Sequence, residues 1–312
     1  MDTNLEYFLH LYRQFASAEG KSQRTIDTYR DDVTELVDFL SNCQDITKIT
    51  KDDLRQYQLY LKSRPRYANH PTIKSHVRPL SGDSIASKIR GIRAFWSWLR
   101  REGFIDENPF EGVKPPKLHE KVVEPLSPSE FTSVLDAIPG DDRKKRPDLS
   151  IFATLYGIGA RISEVAPIPL NNINFDTGQI TITAKGGSQR ALFMSPVLFK
   201  ALFRYRNKVR PKVDSHLFFL TASGRPVSRS YVEHKIHDYA LAANIGRRVY
   251  PHLLRFSFAI QFLRNGGDPF VLQQILGHST LTMTRHYVRI ANTDVEKSLK
   301  KYSPLEQLGK YL

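Results

Sequence analysis

Residues 252–287 read HLLRFSFAIQFLRNGGDPFVLQQILGHSTLTMTRHY. The apolar spacing predicts helices near 252–265, 269–276 and 280–287. His252 and Arg255 stand three residues apart and so share one helix face. Gly277 follows Leu276 and is expected to end a helix, leaving His278 near the start of the next. Tyr287 lies nine residues beyond His278. Leu281 and Met283 are expected to point toward a core and to leave Tyr287 at a helix end.

Working outward, the segment GARISE carries Arg161 and Glu164, and TAKGGSQR carries Lys185. Gln179–Thr183 and Arg190–Met194 alternate as short strands, with Lys185 on the turn between them. Breaking a phosphodiester builds charge on its non-bridging oxygens, so fixed cations there lower the barrier. Arginine suits the task because its planar fork binds two oxygens and stays protonated. Arg161 and Arg255 are the candidates. Lys185 on a hairpin tip can protonate a leaving oxygen, His252 can accept a proton, and His278 can bind a phosphate oxygen. The Tyr287 hydroxyl can attack phosphorus once cations lie close to it.

Each residue taken singly has an ordinary reading. Arg161 fits an ion pair with Glu164, Lys185 a solubilising turn, the histidines a capping or core bond, and Tyr287 half-buried packing. Their order and spacing together favour the chemical reading.

The first hundred residues are predicted to be all-α. Residues 4–18 and 22–40 carry helical apolar stripes, and Thr50 caps a helix running to about Leu61. The stretch 63–80 holds three prolines and reads as a loop. Ser81 or Asp83 opens a helix to Arg101, with Ile85, Ile89, Ile92, Phe95, Trp96 and Leu99 on one face and Lys88, Arg90 and Arg93 on the other. Prolines 109, 115, 116 and 128 mark a linker. Beyond it, Ser127-Pro128-Ser129-Glu130 is a helix start. Further helices are expected at 149–156, 196–209, 228–244 and 292–301. The fold class is therefore mainly α with a small β-sheet, in two domains: 1–112, a linker at 113–127, and 128–312, with a tail at 288–312.

Net charge is +14 and the isoelectric point about 9.7. The excess is local. Residues 1–62 hold 8 basic and 11 acidic side chains, 63–101 hold 9 and 1, and 117–312 hold 28 and 16. Two basic regions suit a polyanion such as DNA better than a small-molecule substrate. The single cysteine, Cys43, excludes an internal disulfide and a multi-cysteine zinc site. No apolar run approaches the roughly 18 residues of a membrane span, and the acidic N-terminus is unlike a signal peptide. A cytoplasmic, DNA-associated protein without cofactor or metal is expected.

The order arginine, lysine, His-x-x-Arg, LGHS and tyrosine resembles the tyrosine recombinase family, the phage-type integrases. The resemblance covers nearly the whole chain. It implies an N-terminal core-binding domain and a catalytic domain that together form a C-shaped clamp on a duplex. It assigns Arg161, Lys185, His252, Arg255 and His278 to the scissile phosphate, Tyr287 as nucleophile and Glu164 as a supporting acid. The implied reaction passes through a 3′-phosphotyrosine and a Holliday junction, with a homotetramer on two double-stranded DNA sites. The tail beyond Tyr287 is expected to pack on a neighbouring protomer. GARISE departs from the more common GLRxSE, and the 63–80 insertion has no counterpart in the pattern. With no arm-type domain ahead of residue 4, a simple, Xer-like member is expected. A type IB topoisomerase would use nearly the same residues on one duplex, and a non-catalytic DNA-binding descendant would have no need of the tyrosine.

Overall fold

The computed structural model describes residues 4–41, 45–66, 76–114, 116, 123–140, 147–184, 186–291 and 303. The chain divides into two compact units, Met1–Val122 and Val123–Leu312.

In the first unit, α1 (Leu5–Ala18) and α2 (Gln23–Phe39) start at Asn4 and Ser22, whose side chains accept from first-turn amides. A full capping box between Thr50 and Asp53 opens α3 (Lys51–Ser63). Ser81 caps α4 (Gly82–Arg101). Apolar side chains at helical spacing place Ile89, Ile92, Phe95, Trp96 and Leu99 of α4 in a core with Leu36, Leu54, Tyr57 and Phe110. The expectation of a strandless N-terminal domain needs correction. Within 63–80 the backbone forms a short antiparallel pair, β1 (Pro65–Arg66) and β2 (His76–Pro79), with an irregular register. The prolines hid it. Proline lacks an amide donor and is tolerated in a strand only at edges or ends, which is where Pro65 and Pro79 fall.

The second unit begins with α5 (Pro128–Asp136), where Ser127 and Glu130 complete a capping box around Pro128. Next come α6 (Pro147–Ile158) and a single turn, α7 (Ile162–Val165). Strands β3 (Ile173–Asn174), β4 (Gln179–Thr183) and β5 (Gln189–Phe193) form an antiparallel sheet in that order. Helix α8 (Pro196–Arg204) runs into a π-turn at Tyr205–Val209, followed by α9 (Arg229–Ala242), α10 (Pro251–Arg264), α11 (Pro269–Leu276) and α12 (Leu281–Ala291). Helices α6 and α10 are buried on nearly every side. Such helices lack a polar face because they lie at the centre of the core. Helix α10 packs against α6, α11 and α12, so any polar side chain it points inward is held from several directions.

Two expectations about α12 fail. Tyr287 sits within the helix, and Leu281 and Met283 are exposed. The buried positions are Thr284, Tyr287 and Ala291, an i, i+3, i+7 stripe. Cys43, Lys185 and tail residues 292–302 and 304–312 lie outside the described residues.

Candidate active site

Glu164 organises the site. It is the third residue of α7 and is almost fully buried. Its Oε2 accepts from the backbone amide of Arg161 at 2.9 Å, and its Oε1 from Arg161 Nη1 at 3.0 Å. One carboxylate therefore caps the helix and aims the arginine that precedes it. Arg190 supplies a second fork, with Nη2 2.9 Å from Oε2 and Nη1 3.4 Å from Oε1. Burial works to raise the Glu164 pKa, but the bonds from Arg190 and Arg161 outweigh it and hold the carboxyl below its ordinary range.

No motif in the sequence singles out Arg190. Register explains its position: it pairs with Ile182 of β4, and directly opposed residues of an antiparallel pair share a face. Ile182 faces the core, so Arg190 does too. There its Nε donates to the Ile275 carbonyl at 2.8 Å. The signal in the sequence was a basic residue on the inward phase of an alternating strand.

Arg255 is 1% exposed. Its Nη1 donates to the Gly159 carbonyl and its Nη2 to the Leu276 carbonyl, both at 2.9 Å. The same Nη2 lies 3.0 Å from His278 Nε2. Gly159 adopts φ +60, and a β-carbon there would come within 2.3 Å of Phe258. Only glycine can place that carbonyl toward Arg255 in so confined a space. Desolvation lowers the Arg255 pKa to about 10, helped by Arg161, so the guanidinium stays charged at neutral pH.

His278 follows Gly277, whose φ of +65 ends α11 as the sequence predicts. Both ring nitrogens are engaged: Nε2 with Arg255, and Nδ1 with the buried Thr284 hydroxyl at 3.1 Å. Desolvation, then Arg255, Arg161 and Arg190, push its pKa down to about 4, so the ring is neutral at physiological pH. The ring stacks on Tyr287 with centroids 5.8 Å apart and planes 14° apart. Tyr287 also packs on Phe256 and is 7% exposed.

His252, on the first turn of α10, is exposed. It lines a pocket of about 160 Å³ with Arg161, Ser163, Arg229, Tyr250 and Arg255. Desolvation by these neighbours comes first, and with Arg255, Arg161 and Arg229 it holds the His252 pKa below the ordinary histidine value. A neutral imidazole there can accept a proton. The structure thus gathers Arg161, Glu164, His252, Arg255, His278 and Tyr287 in one region of the second unit. Three guanidiniums, Arg161, Arg190 and Arg255, surround one carboxylate, which leaves an excess of fixed positive charge suited to an anion whose charge grows during reaction.

The model of the phage integrase family matches residues 124–294, more than half of the chain. The chain belongs to the phage integrase family. It is a tyrosine recombinase, an enzyme of site-specific recombination. Residues 9–103 match that family's N-terminal SAM-like domain. The tyrosine recombinase XerC of Pediococcus pentosaceus is 27% identical over 307 residues, covering 95% of this chain and 97% of its own. XerD of Staphylococcus haemolyticus is 28% identical, covering 96% and 99%. The fold is shared with XerH bound to its palindromic difH substrate, at a TM-score of 0.71 and 17% identity over 91% of this chain and 81% of that one. It is shared equally with the Tn1549 transposon integrase in complex with transposon right end DNA, at 0.71 and 20% over 95% and 99%.

In this recombinase the basic helix α4 does not present one uniform cationic face. Arg90 is exposed and Arg93 half-buried, and both line an open groove with Ser97. Lys88 departs from the expectation that it joins them. Its ammonium lies 2.7 Å from Glu35 and 3.3 Å from the buried Asp32 of α2. Two positions along a helix turn the side chain by about 200°, so Lys88 faces inward where Arg90 faces out. Among the described residues no group of His, Cys, Asp or Glu is arranged to hold a metal ion, and no helix is long and apolar enough to cross a membrane.

Proposed function

We propose that the substrate is double-stranded DNA and that Tyr287 attacks the scissile phosphate to form a 3′-phosphotyrosine. Arg161, Arg255 and His278 hold the non-bridging oxygens. Lys185, which lies in sequence between β4 and β5, protonates the leaving 5′-oxygen, and His252 takes up the tyrosine proton. A 5′-hydroxyl from a partner duplex then displaces the tyrosine. Bond energy is retained in the phosphotyrosine, so the exchange requires neither ATP nor a metal. Two such rounds pass through a four-way junction, with four protomers on two sites.

Residues 1–112 serve in this reading as the core DNA-binding domain, 113–127 as the linker and 128–312 as the catalytic domain, with the tail from 288 docking on a neighbour. Arg90 and Arg93 of α4 contact phosphates. The protein works in the cytoplasm, on DNA. One observation carries the reading. Arg161, His252 and Arg255 line a single pocket, and Arg255 and its partner His278 connect that pocket to the Tyr287 ring.

The test is Tyr287→Phe on a nicked suicide substrate, a duplex that traps the covalent intermediate. The variant is expected to bind DNA normally and to form no covalent complex. A covalent band from Tyr287→Phe would overturn the assignment of the nucleophile.

A further inference from the structure

Helix α11 ends with carbonyls that have no donor within the helix. The amides of His278 and Gly277 take those of Gln273 and Gln274. The next two are met by arginines from elsewhere in the chain. Arg190 Nε donates to the Ile275 carbonyl at 2.8 Å, and Arg255 Nη2 to the Leu276 carbonyl at 2.9 Å. The other end of Arg190 forks onto Glu164, which in turn holds the amide and Nη1 of Arg161. Arg255 Nη1 bonds the Gly159 carbonyl, two residues before Arg161, and closes a ring of contacts through β5, α7, α10 and α11. Arg190 thus reaches Arg161 through one carboxylate and Arg255 through one turn of helix. The turn makes room for it: a β-carbon on Gly277 would come within 3.1 Å of Arg190 Nη1 and 3.3 Å of its Cζ. A guanidinium suits the position because its fork meets a carboxylate while its Nε–H meets a separate acceptor.

We propose that Arg190 is a positioning residue for both arginines assigned to the phosphate: it aims Arg161 through Glu164 and Arg255 through the last turn of α11, and does not itself touch the substrate. The catalytic consequence rests on the proposed roles of Arg161 and Arg255. The contacts of Arg190 do not.

Arg190→Lys isolates geometry from charge. The ammonium keeps a cation beside Glu164, but as a point charge it cannot also hold the Ile275 carbonyl. The full chain is assayed on a nicked suicide substrate at saturating DNA. Arg190→Lys should melt close to the wild type and bind DNA normally. Its covalent complex should form roughly tenfold more slowly, as misplaced reacting groups would dictate. Double-mutant cycles with Arg161→Ala and Arg255→Ala then show the route. In each background the loss should shrink to about threefold, because one of the two routes is already gone. A full tenfold loss in both backgrounds would mean that Arg190 acts independently of either arginine and would overturn the proposal. Wild-type cleavage in Arg190→Lys would do the same. A loss that shrinks in one background alone would overturn the half that concerns the other arginine. The wild type supplies a second check that needs no variant to fold. In proton–nitrogen spectra of the arginine side chains, correlated to their own backbone amides, the Arg190 Nε–H should exchange slowly with solvent. Rapid exchange would refute the bond to Ile275 and with it the route to Arg255. Normal cleavage by Arg161→Ala and Arg255→Ala singly would refute the phosphate assignment and the catalytic part of this proposal together. It would leave the slow exchange of Nε–H unchanged.

Discussion

The Gly159 carbonyl accepts from Arg255 Nη1 at 2.9 Å across 96 residues of chain. A backbone group ahead of α7 thus orients a side chain on α10, and the two arginines proposed to hold the phosphate are fixed from the same loop, since Arg161 lies two residues beyond Gly159. The position has no room for a side chain: a β-carbon would come within 2.3 Å of Phe258 and 2.9 Å of Leu276.

Gly159→Ala should accordingly cost about 2–4 kcal/mol, from a left-handed backbone and an overpacked core together. Its cleavage should fall further than its DNA binding. Thermal melting and suicide-substrate cleavage on the same preparation check both parts. An unchanged melting temperature would mean that the loop relaxes freely.

Arg190 and Arg161 share Glu164 but should fail differently. Arg161 is 38% exposed in its side chain and Arg190 14%. Arg161→Ala should lose at least ~10²-fold in cleavage with little loss of stability, as removal of a preorganised donor does. Arg190→Ala should lower stability by about 3 kcal/mol, because the buried Glu164 loses a bidentate partner. Equal melting temperatures for the two variants would show that Arg190 does not support Glu164.

Helix α4 makes a prediction about salt. Neutralising Arg90 and Arg93 together should reduce the slope of log affinity against log salt by roughly 2, about one per lost phosphate contact. Lys88→Ala should leave that slope unchanged. It should instead destabilise the first unit, where Asp32 and Glu35 lose their shared partner. Filter binding across a salt series, with melting curves, tests the contrast. A slope change in Lys88→Ala equal to that of the arginines would contradict the inward placement.

The pH dependence of stability has a sign. His278 is held near pKa 4 in the folded chain and returns to about 6.5 when unfolded. Between those values the unfolded chain takes up a proton that the folded one refuses. Its contribution is therefore complete above pH 6.5 and is lost as pH falls toward 4. His252 shifts in the same sense. Melting temperature should drop more steeply from pH 7 to 5 in the wild type than in His278→Gln. Parallel curves would mean that His278 titrates normally.

The sequence by itself determined most of the helices and the β4–β5 hairpin, and it named most of the residues now gathered around Glu164 and Arg255. Caps such as Thr50, Ser81 and Ser127, and the helix stop at Gly277, act within a few residues, so they can be read from neighbours alone. The spacing of His252, Arg255, His278 and Tyr287 belongs to the same local order. Tertiary structure decided which side chains meet. Arg190 reaches Glu164 across 26 residues and Lys88 reaches Asp32 across 56. These contacts follow from strand register and helix phase, in which one position of slip reverses the face. The burial of Thr284 in place of Met283 has the same origin. Apolar content marks a helix as amphipathic, but only packing against α10 selects the stripe that turns inward, and that choice put a hydroxyl beside His278.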